Sequence, residues 1–346
     1  MLVHFLTDKP AKIPAARAML EPRYRVAPHL LGADDASIDP NGVLVVDADL
    51  RQADRIDRIR RLLRRGDCGR DRLFVVQHQF RRMVVQAYAL GATAVVSSPG
   101  QILSTLAQIQ IAKDAPRGST QLASTETMEG VTAFASIFSA VMGGAPVNLS
   151  DAERATSHIT NSIEQNGLSA WLDDVRRHHE GTFQHCLLVT GVAIGFALDL
   201  GFASRDVNQL GMAATIHDIG KARIPLSILD KTERLDPDEI EIMKSHPVIG
   251  FELLKDIPGI SAGSLAGVRH HHEYLDGSGY PDGLTAAQLP DLVRMLTISD
   301  IFAALIESRP YKPAMPRQDA YDVLSGMEGK LERPLVDAFR HTATKA

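Results

Sequence analysis

The sequence predicts a multi-domain chain: an α/β doubly wound domain first, then an all-α domain. Three observations predict this. In the first hundred residues, short β-branched runs at 2–6, 43–46, 73–76 and 94–96 alternate with helical patterns at 15–20, 53–63, 82–90 and 102–109, the signature of a parallel sheet flanked by helices. Beyond residue 120 the strand signal disappears and helical patterns follow one another, broken by polar or Gly/Pro stretches. With 346 residues and 45% hydrophobic composition, the chain exceeds what a single core usually supports. The expected division is 1–112 for the α/β domain, 113–149 for a linker and connecting helix, and 150–346 for the helical domain.

The strand Val43-Leu44-Val45-Val46 is apolar at every position, as a strand buried on both faces should be. The interval from Gly32 to Gly42 is short for a helix between a second and a third strand. Lys113 to Thr120 is polar and contains Pro116, Gly118 and Ser119, which reads as a linker. Thr132 to Met142 follows as an apolar helix that stops at Gly143-Gly144. Such a helix between domains can mediate a homodimer, and core packing explains it equally well. Ser150 is expected to cap the next helix, with Glu153 completing a capping box.

Composition excludes several classes. The 37 basic and 42 acidic residues give a net charge of −5, with no basic stripe to attract a nucleic-acid polymer. Two cysteines, Cys68 and Cys186, are too few for a disulfide framework and read as buried apolar fillers. The start lacks a charged leader followed by an apolar core, and no 18-residue apolar run occurs, so a soluble cytoplasmic protein without a membrane partner is expected.

The chemistry concentrates in the second half. Eight of the 13 histidines fall between His178 and His272, and neutral imidazole beside carboxylate is the donor set for borderline transition metals. His217-Asp218-Ile219-Gly220-Lys221 closes a helix opened by Ser204. Charges and an imidazole crowded at a helix end are costly without an ion or ligand to pair with. His185 lies at the start of an apolar helix. His246 follows a helix capped by Asp236, with Pro237 and Glu239 in its first turn. His271 and His272 would diverge by about 100° on an ideal helix, but Asp276-Gly277-Ser278-Gly279 terminates that helix and lets both face one site. Asp300 sits in an otherwise apolar helix and needs a strong partner, for which a divalent cation is the best available. His185, His217, Asp218, His246, His271, His272 and Asp300 together exceed one tetrahedral ion and suit two.

The motifs His-Asp-x-Gly-Lys and His-His-Glu-x-x-Asp-Gly-x-Gly-Tyr-Pro, in this order, resemble the HD-GYP family of bacterial cyclic di-GMP phosphodiesterases. The resemblance covers roughly 145–340. It implies that the seven residues hold two or three metals, commonly iron or manganese, with Asp218 bridging. It assigns Lys221 to the substrate phosphate and leaving group, and Arg309 and Lys312 to the phosphates. Tyr280 would contact a guanine, a signalling partner, or merely the turn. Gly181 stands where members with a third metal carry Glu, and Glu180 is one residue off register, so two ions are expected; nickel, zinc and magnesium remain open. Ala303 replaces another frequent Asp. His178, His179 and His270 match nothing required.

The N-terminal half resembles a response-regulator receiver domain, with Asp47 where that family accepts phosphate. The acidic pair is reduced to Asp8, Gln77 and His78 replace the Ser/Thr position, and Ser98 before Pro99 replaces the lysine. A degenerate scaffold is therefore expected rather than a phosphorylated switch. The expected activity is hydrolysis of cyclic di-GMP to pGpG, with further cleavage to GMP left open. The alternatives are a cyclic di-GMP sensor that signals through its N-terminal domain and a phosphohydrolase for another cyclic dinucleotide.

Overall fold

A computed structural model of the chain describes residues 1–32, 38–64, 71–76, 81–114, 125–178, 182–229, 231, 233–307 and 313–345. It divides into two compact units, Met1–Met128 and Glu129–Ala346.

The first unit is built on five parallel strands in the order β2-β1-β3-β4-β5: β1 (Leu2–Thr7), β2 (Arg25–Leu30), β3 (Val43–Asp47), β4 (Arg72–Val75) and β5 (Ala94–Val96). Helices α1 (Lys12–Leu20), α2 (Ala53–Arg64), α3 (Arg81–Ala89) and α4 (Pro99–Asp114) connect or follow them. Val3, Phe5, Val43, Val45, Leu73 and Val75 form a core with Ala16 and Leu20 of α1 and Ile102, Leu106 and Ile109 of α4. The alternate strand residues Leu44, Val46 and Phe74 are equally buried, so both faces of the sheet are covered. The apolar strands of the sequence are all present. The strand that no apolar run marks is β2, because it is an edge strand: Arg25 and Leu30 are exposed, and Pro28 is tolerated where one side of the ladder is unpaired. No helix joins β2 to β3 among the described residues.

The second unit is helical. A long helix, α5 (Thr125–Met142), starts at the junction and stops at Gly143, as the Gly-Gly pair predicts, but begins earlier than Thr132. Helix α6 (Leu149–Asn166) corrects one expectation: its cap is Asn148, not Ser150. Asn148 has the extended backbone a cap requires, and its side-chain oxygen accepts from the Ser150 N–H at 3.2 Å and from the Ser150 hydroxyl at 2.9 Å. Then come α7 (Leu168–His178), α8 (Thr182–Asp199), α9 (Ser204–Ile216), a 3-10 turn (Ile219–Arg223), α10 (Leu226–Leu229), α11 (Pro237–Lys244), α12 (His246–Leu254), α13 (Ala262–His270), α14 (Asp291–Ile306), α15 (Arg317–Ser325) and α16 (Arg333–Thr344). Helix α8 is buried all round, since Leu187, Val189, Val192, Ala193, Ile194 and Phe196 leave no polar face. It packs against α6, α7, α9, α14 and α16 and so carries His185 into the centre of the unit. Among the described residues no helix is long and apolar enough to cross a membrane.

Candidate metal centre

Each of the seven sequence-selected residues sits at a helix end or on a buried helix face, and the fold brings all seven together. His217 is the cap that ends α9, and Asp218 opens the 3-10 turn. The turn lies tight against α12: a Cβ on Gly220 would fall 2.0 Å from the carbonyl oxygen of His246 and 2.7 Å from the Gly250 nitrogen. Only glycine permits that approach, which sets Asp218 beside His246. The Asp236 capping box starts α11, and Pro247 at the second position of α12 follows His246 immediately. His271 caps α13 and His272 lies in the turn after it, so their rings stay 4.1 Å apart, centroid to centroid, instead of diverging. Asp300 is on the buried face of α14.

The two carboxylates span two groups of imidazoles. Asp218 Oδ1 lies 3.1 Å from His246 Nε2 and 3.8 Å from His271 Nε2, whereas its Oδ2 lies 3.4 Å from His217 Nε2 and 3.9 Å from His185 Nε2. Asp300 Oδ1 lies 3.0 Å from His185 Nε2 and 3.8 Å from His217 Nε2, and its Oδ2 lies 3.7 Å from His272 Nδ1. Donor atoms of His246, His271 and His272 fall within 4.8 Å of one another, as do those of His185, His217 and Asp300.

Backbone carbonyls fix the ring tautomers. His217 Nδ1–H donates to Ala214 O at 2.7 Å, His246 Nδ1–H to Met243 O at 2.7 Å and His271 Nδ1–H to Val268 O at 2.9 Å. A carbonyl can only accept, so each Nε2 of a neutral ring presents a lone pair to the cluster. The Nε2 atoms of His246 and His271 then face each other at 3.3 Å. Two lone pairs at that distance repel unless a cation lies against both. Protons are poor candidates: burial lowers the pKa of His246 and, much more strongly, of His271, and pushes that of His272 down to about 3. His217 Nε2 is buried without a hydrogen bond. Burial opposes ionisation of Asp218, yet the Lys221 ammonium holds its carboxyl well below the usual carboxylate range. Burial likewise opposes ionisation of Asp300, which its hydrogen bond with His185 keeps ionised. Anionic oxygens and inward lone pairs fit divalent cations, so the residues present suit the group.

Lys221 Nζ is 2.5 Å from Asp218 Oδ2 at the edge of the cluster, its side chain 18% exposed. Tyr280 does not reach the donor atoms directly: its ring stacks on His272 at 4.7 Å and 26°, with Lys244 Nζ 5.8 Å from its centroid. Arg309 and Lys312 lie outside the described residues, as do His179, Glu180, Gly181, Gln77, His78 and Cys68. His270 faces outward to Asp282 at 2.9 Å.

Three further residues lie at the site without having been assigned a role there from the sequence. Cys186 is buried, as a filler would be, but its Sγ lies 3.7 Å from Asp218 Oδ2. Glu273, 2% exposed, accepts from the N–H groups of Asp282, Gly283 and Leu284 at 2.7, 2.9 and 3.1 Å, and so pins the Gly-Tyr-Pro loop. Its place in the His-His-Glu motif is the one hint the sequence offers. Glu307 is buried with its Oε2 3.5 Å from His185 Nδ1.

Fold and cluster together define a class: a helical domain with a buried His/Asp centre whose donor atoms could hold metal ions. The chain belongs to the HD domain family, which matches residues 134–334, and its two motifs place it with the HD-GYP proteins. It is 39% identical over 179 residues to the cyclic di-GMP phosphodiesterase response regulator RpfG of Xanthomonas campestris pv. campestris, covering 51% of this chain and 47% of that one. It is 37% identical over 161 residues to a cyclic di-GMP phosphodiesterase of Thermotoga maritima, covering 46% and 44%. The chain thus spans about half the length of the curated relatives it matches. Among solved structures, the HDG"Y"P protein Bd1817 from Bdellovibrio bacteriovorus shares the fold, with a TM-score of 0.51 at 19% identity over 69% of this chain and 78% of that one.

Proposed function

We propose that this chain is a metal-dependent phosphodiesterase that hydrolyses cyclic di-GMP to pGpG, with residues 150–346 carrying the reaction. The observation that carries the reading is the pair of Nε2 lone pairs of His246 and His271 facing each other at 3.3 Å beside Asp218 Oδ1. The relatives named as cyclic di-GMP phosphodiesterases support the substrate.

In this reading His185, His217, His246, His271, His272, Asp218 and Asp300 would hold two divalent ions, iron or manganese by the resemblance. Such ions supply a nucleophilic water near neutral pH and offset phosphate charge. Lys221, whose Nζ lies 2.5 Å from Asp218 Oδ2, donates to a phosphate oxygen and follows the charge onto the leaving oxygen. Arg309 and Lys312 hold the remaining phosphate oxygens. Tyr280, braced on His272, forms one wall and meets a guanine by its free edge. Residues 1–112 form a receiver-like input domain in a cytoplasmic protein. Both acidic residues of the receiver-type site are ion-paired: Asp47 with Lys12 at 2.5 Å and Asp8 with Arg55 at 2.5 Å. That pairing supports a scaffold that meets a partner protein or a second copy, not a phosphate acceptor.

The test is turnover of a panel of cyclic dinucleotides by the full chain, metal-replete and chelated, with products separated. Cleavage of cyclic di-GMP to pGpG only when metal is present is the expected outcome. Binding without cleavage would instead make the chain a sensor, and preference for a mixed cyclic dinucleotide would change the substrate.

A further inference from the structure

Three imidazoles of the cluster are oriented by backbone carbonyls, but His185 is not. Its ring lies between two carboxylates of the α14 segment. On one side Nε2 is hydrogen-bonded to Asp300 Oδ1 at 3.0 Å; on the other Nδ1, buried and making no hydrogen bond, faces Glu307 Oε2 at 3.5 Å. Residues 300 and 307 are seven apart, two helical turns, and so fall on one face. Glu307 itself is held as the cap that ends α14, its N–H donating to Ala303 O at 2.9 Å, and it is 1% exposed. A buried carboxylate carries a desolvation cost of several kcal/mol unless it is paired, and the His185 ring is a partner the fold places against it. Nothing in the two sequence motifs includes Glu307.

We propose that Glu307 is the positioning residue for His185: when a cation takes the place of the Nε2 proton shared with Asp300, the Glu307 carboxylate holds the remaining ring proton on Nδ1, fixes the tautomer, and leaves the Nε2 lone pair for the metal beside His217 and Asp300. The carbonyls of Ala214, Met243 and Val268 do the same for His217, His246 and His271. A carboxylate does more, because its charge also raises the basicity of the imidazole it orients. His185 is therefore a stronger donor than a carbonyl-oriented ring would be. This inference rests on the metal reading above and extends it to a residue outside the ligand set.

The experiment measures manganese affinity of the full chain by chelator competition for wild type, Glu307→Gln and Glu307→Met, with thermal unfolding of each metal-free protein alongside. Glutamine keeps an acceptor and methionine keeps only the volume. The expected result is affinity about 10–100-fold weaker in Glu307→Met, largely restored in Glu307→Gln, with metal-free stability similar in the two. Methionine binding manganese as tightly as wild type overturns the inference, and so does an equal loss in both variants that tracks metal-free stability. A wild-type chain with no manganese affinity overturns the metal reading itself, an outcome distinct from either.

Discussion

Asp218 and Asp300 both divide their oxygens between the same two imidazole groups. Asp218 offers Oδ1 to His246 at 3.1 Å and Oδ2 to His217 at 3.4 Å, while Asp300 offers Oδ1 to His185 at 3.0 Å and Oδ2 to His272 at 3.7 Å. The two carboxylates reach the cluster from a 3-10 turn and from α14, elements far apart in sequence. Losing one histidine should weaken one side, whereas losing Asp218 should weaken both. Elemental analysis of Asp218→Ala is therefore expected to show less metal per chain than either His185→Ala or His246→Ala.

Lys221 competes with cations for the oxygen it contacts, since its Nζ lies 2.5 Å from Asp218 Oδ2. On the proposed function, its role toward substrate and its role toward metal have opposite signs. Lys221→Ala is expected to lower kcat by about 10²–10³-fold, the usual cost of one electrostatic donor, while metal affinity holds or tightens. Steady-state kinetics beside a metal titration separates the two effects; parallel loss of both would assign the lysine to structure.

Most helices of the site unit were legible in the sequence because their start and stop signals are local. The Asp236 capping box, the Gly143-Gly144 stop and the apolar run of α8 all read directly. The seven residues of the cluster were legible because imidazoles and carboxylates on apolar helices are costly without partners. Local signals mislead where two candidates compete, as with Asn148 and Ser150, both good caps two positions apart. They fail where the partner is distant: nothing near β2 marks it as a strand until Leu2–Thr7 pairs with it. Glu307 has the same difficulty, because the histidine it faces is 122 positions away (307 − 185).

Gly220 sets the distance between the His-Asp turn and α12. A methyl there would meet the His246 carbonyl oxygen at 2.0 Å, backbone that cannot swing aside. Gly220→Ala is expected to destabilise the helical unit by about 1–3 kcal/mol, read as a fall in Tm, and to disturb metal binding through His246. An unchanged Tm and metal content would contradict this packing.

The Gly-Tyr-Pro loop is tied to α13 by Asp282, which accepts from Arg269 at 2.7 and 2.9 Å and from His270 at 2.9 Å. The hydrogen bonds from Arg269, and then from His270, lower the Asp282 carboxyl pKa in the folded chain. A depressed folded pKa contributes stability that is present above the unfolded value, about 4, and is lost as pH falls through the folded value. The Tm advantage of wild type over Asp282→Asn is expected to be full near neutrality and to shrink below about pH 4. An advantage that grows on acidification would reverse the sign of this coupling.

The central claim is that the His/Asp cluster holds metal in order to cut cyclic di-GMP. Its most direct test is metal content per chain, measured on the same sample as the rate of pGpG formation while the ions are removed and restored. Two ions per chain, with rate falling on chelation and returning on addition of manganese or ferrous iron, is the expected result. A chain stripped of metal that still forms pGpG at the full rate would contradict it.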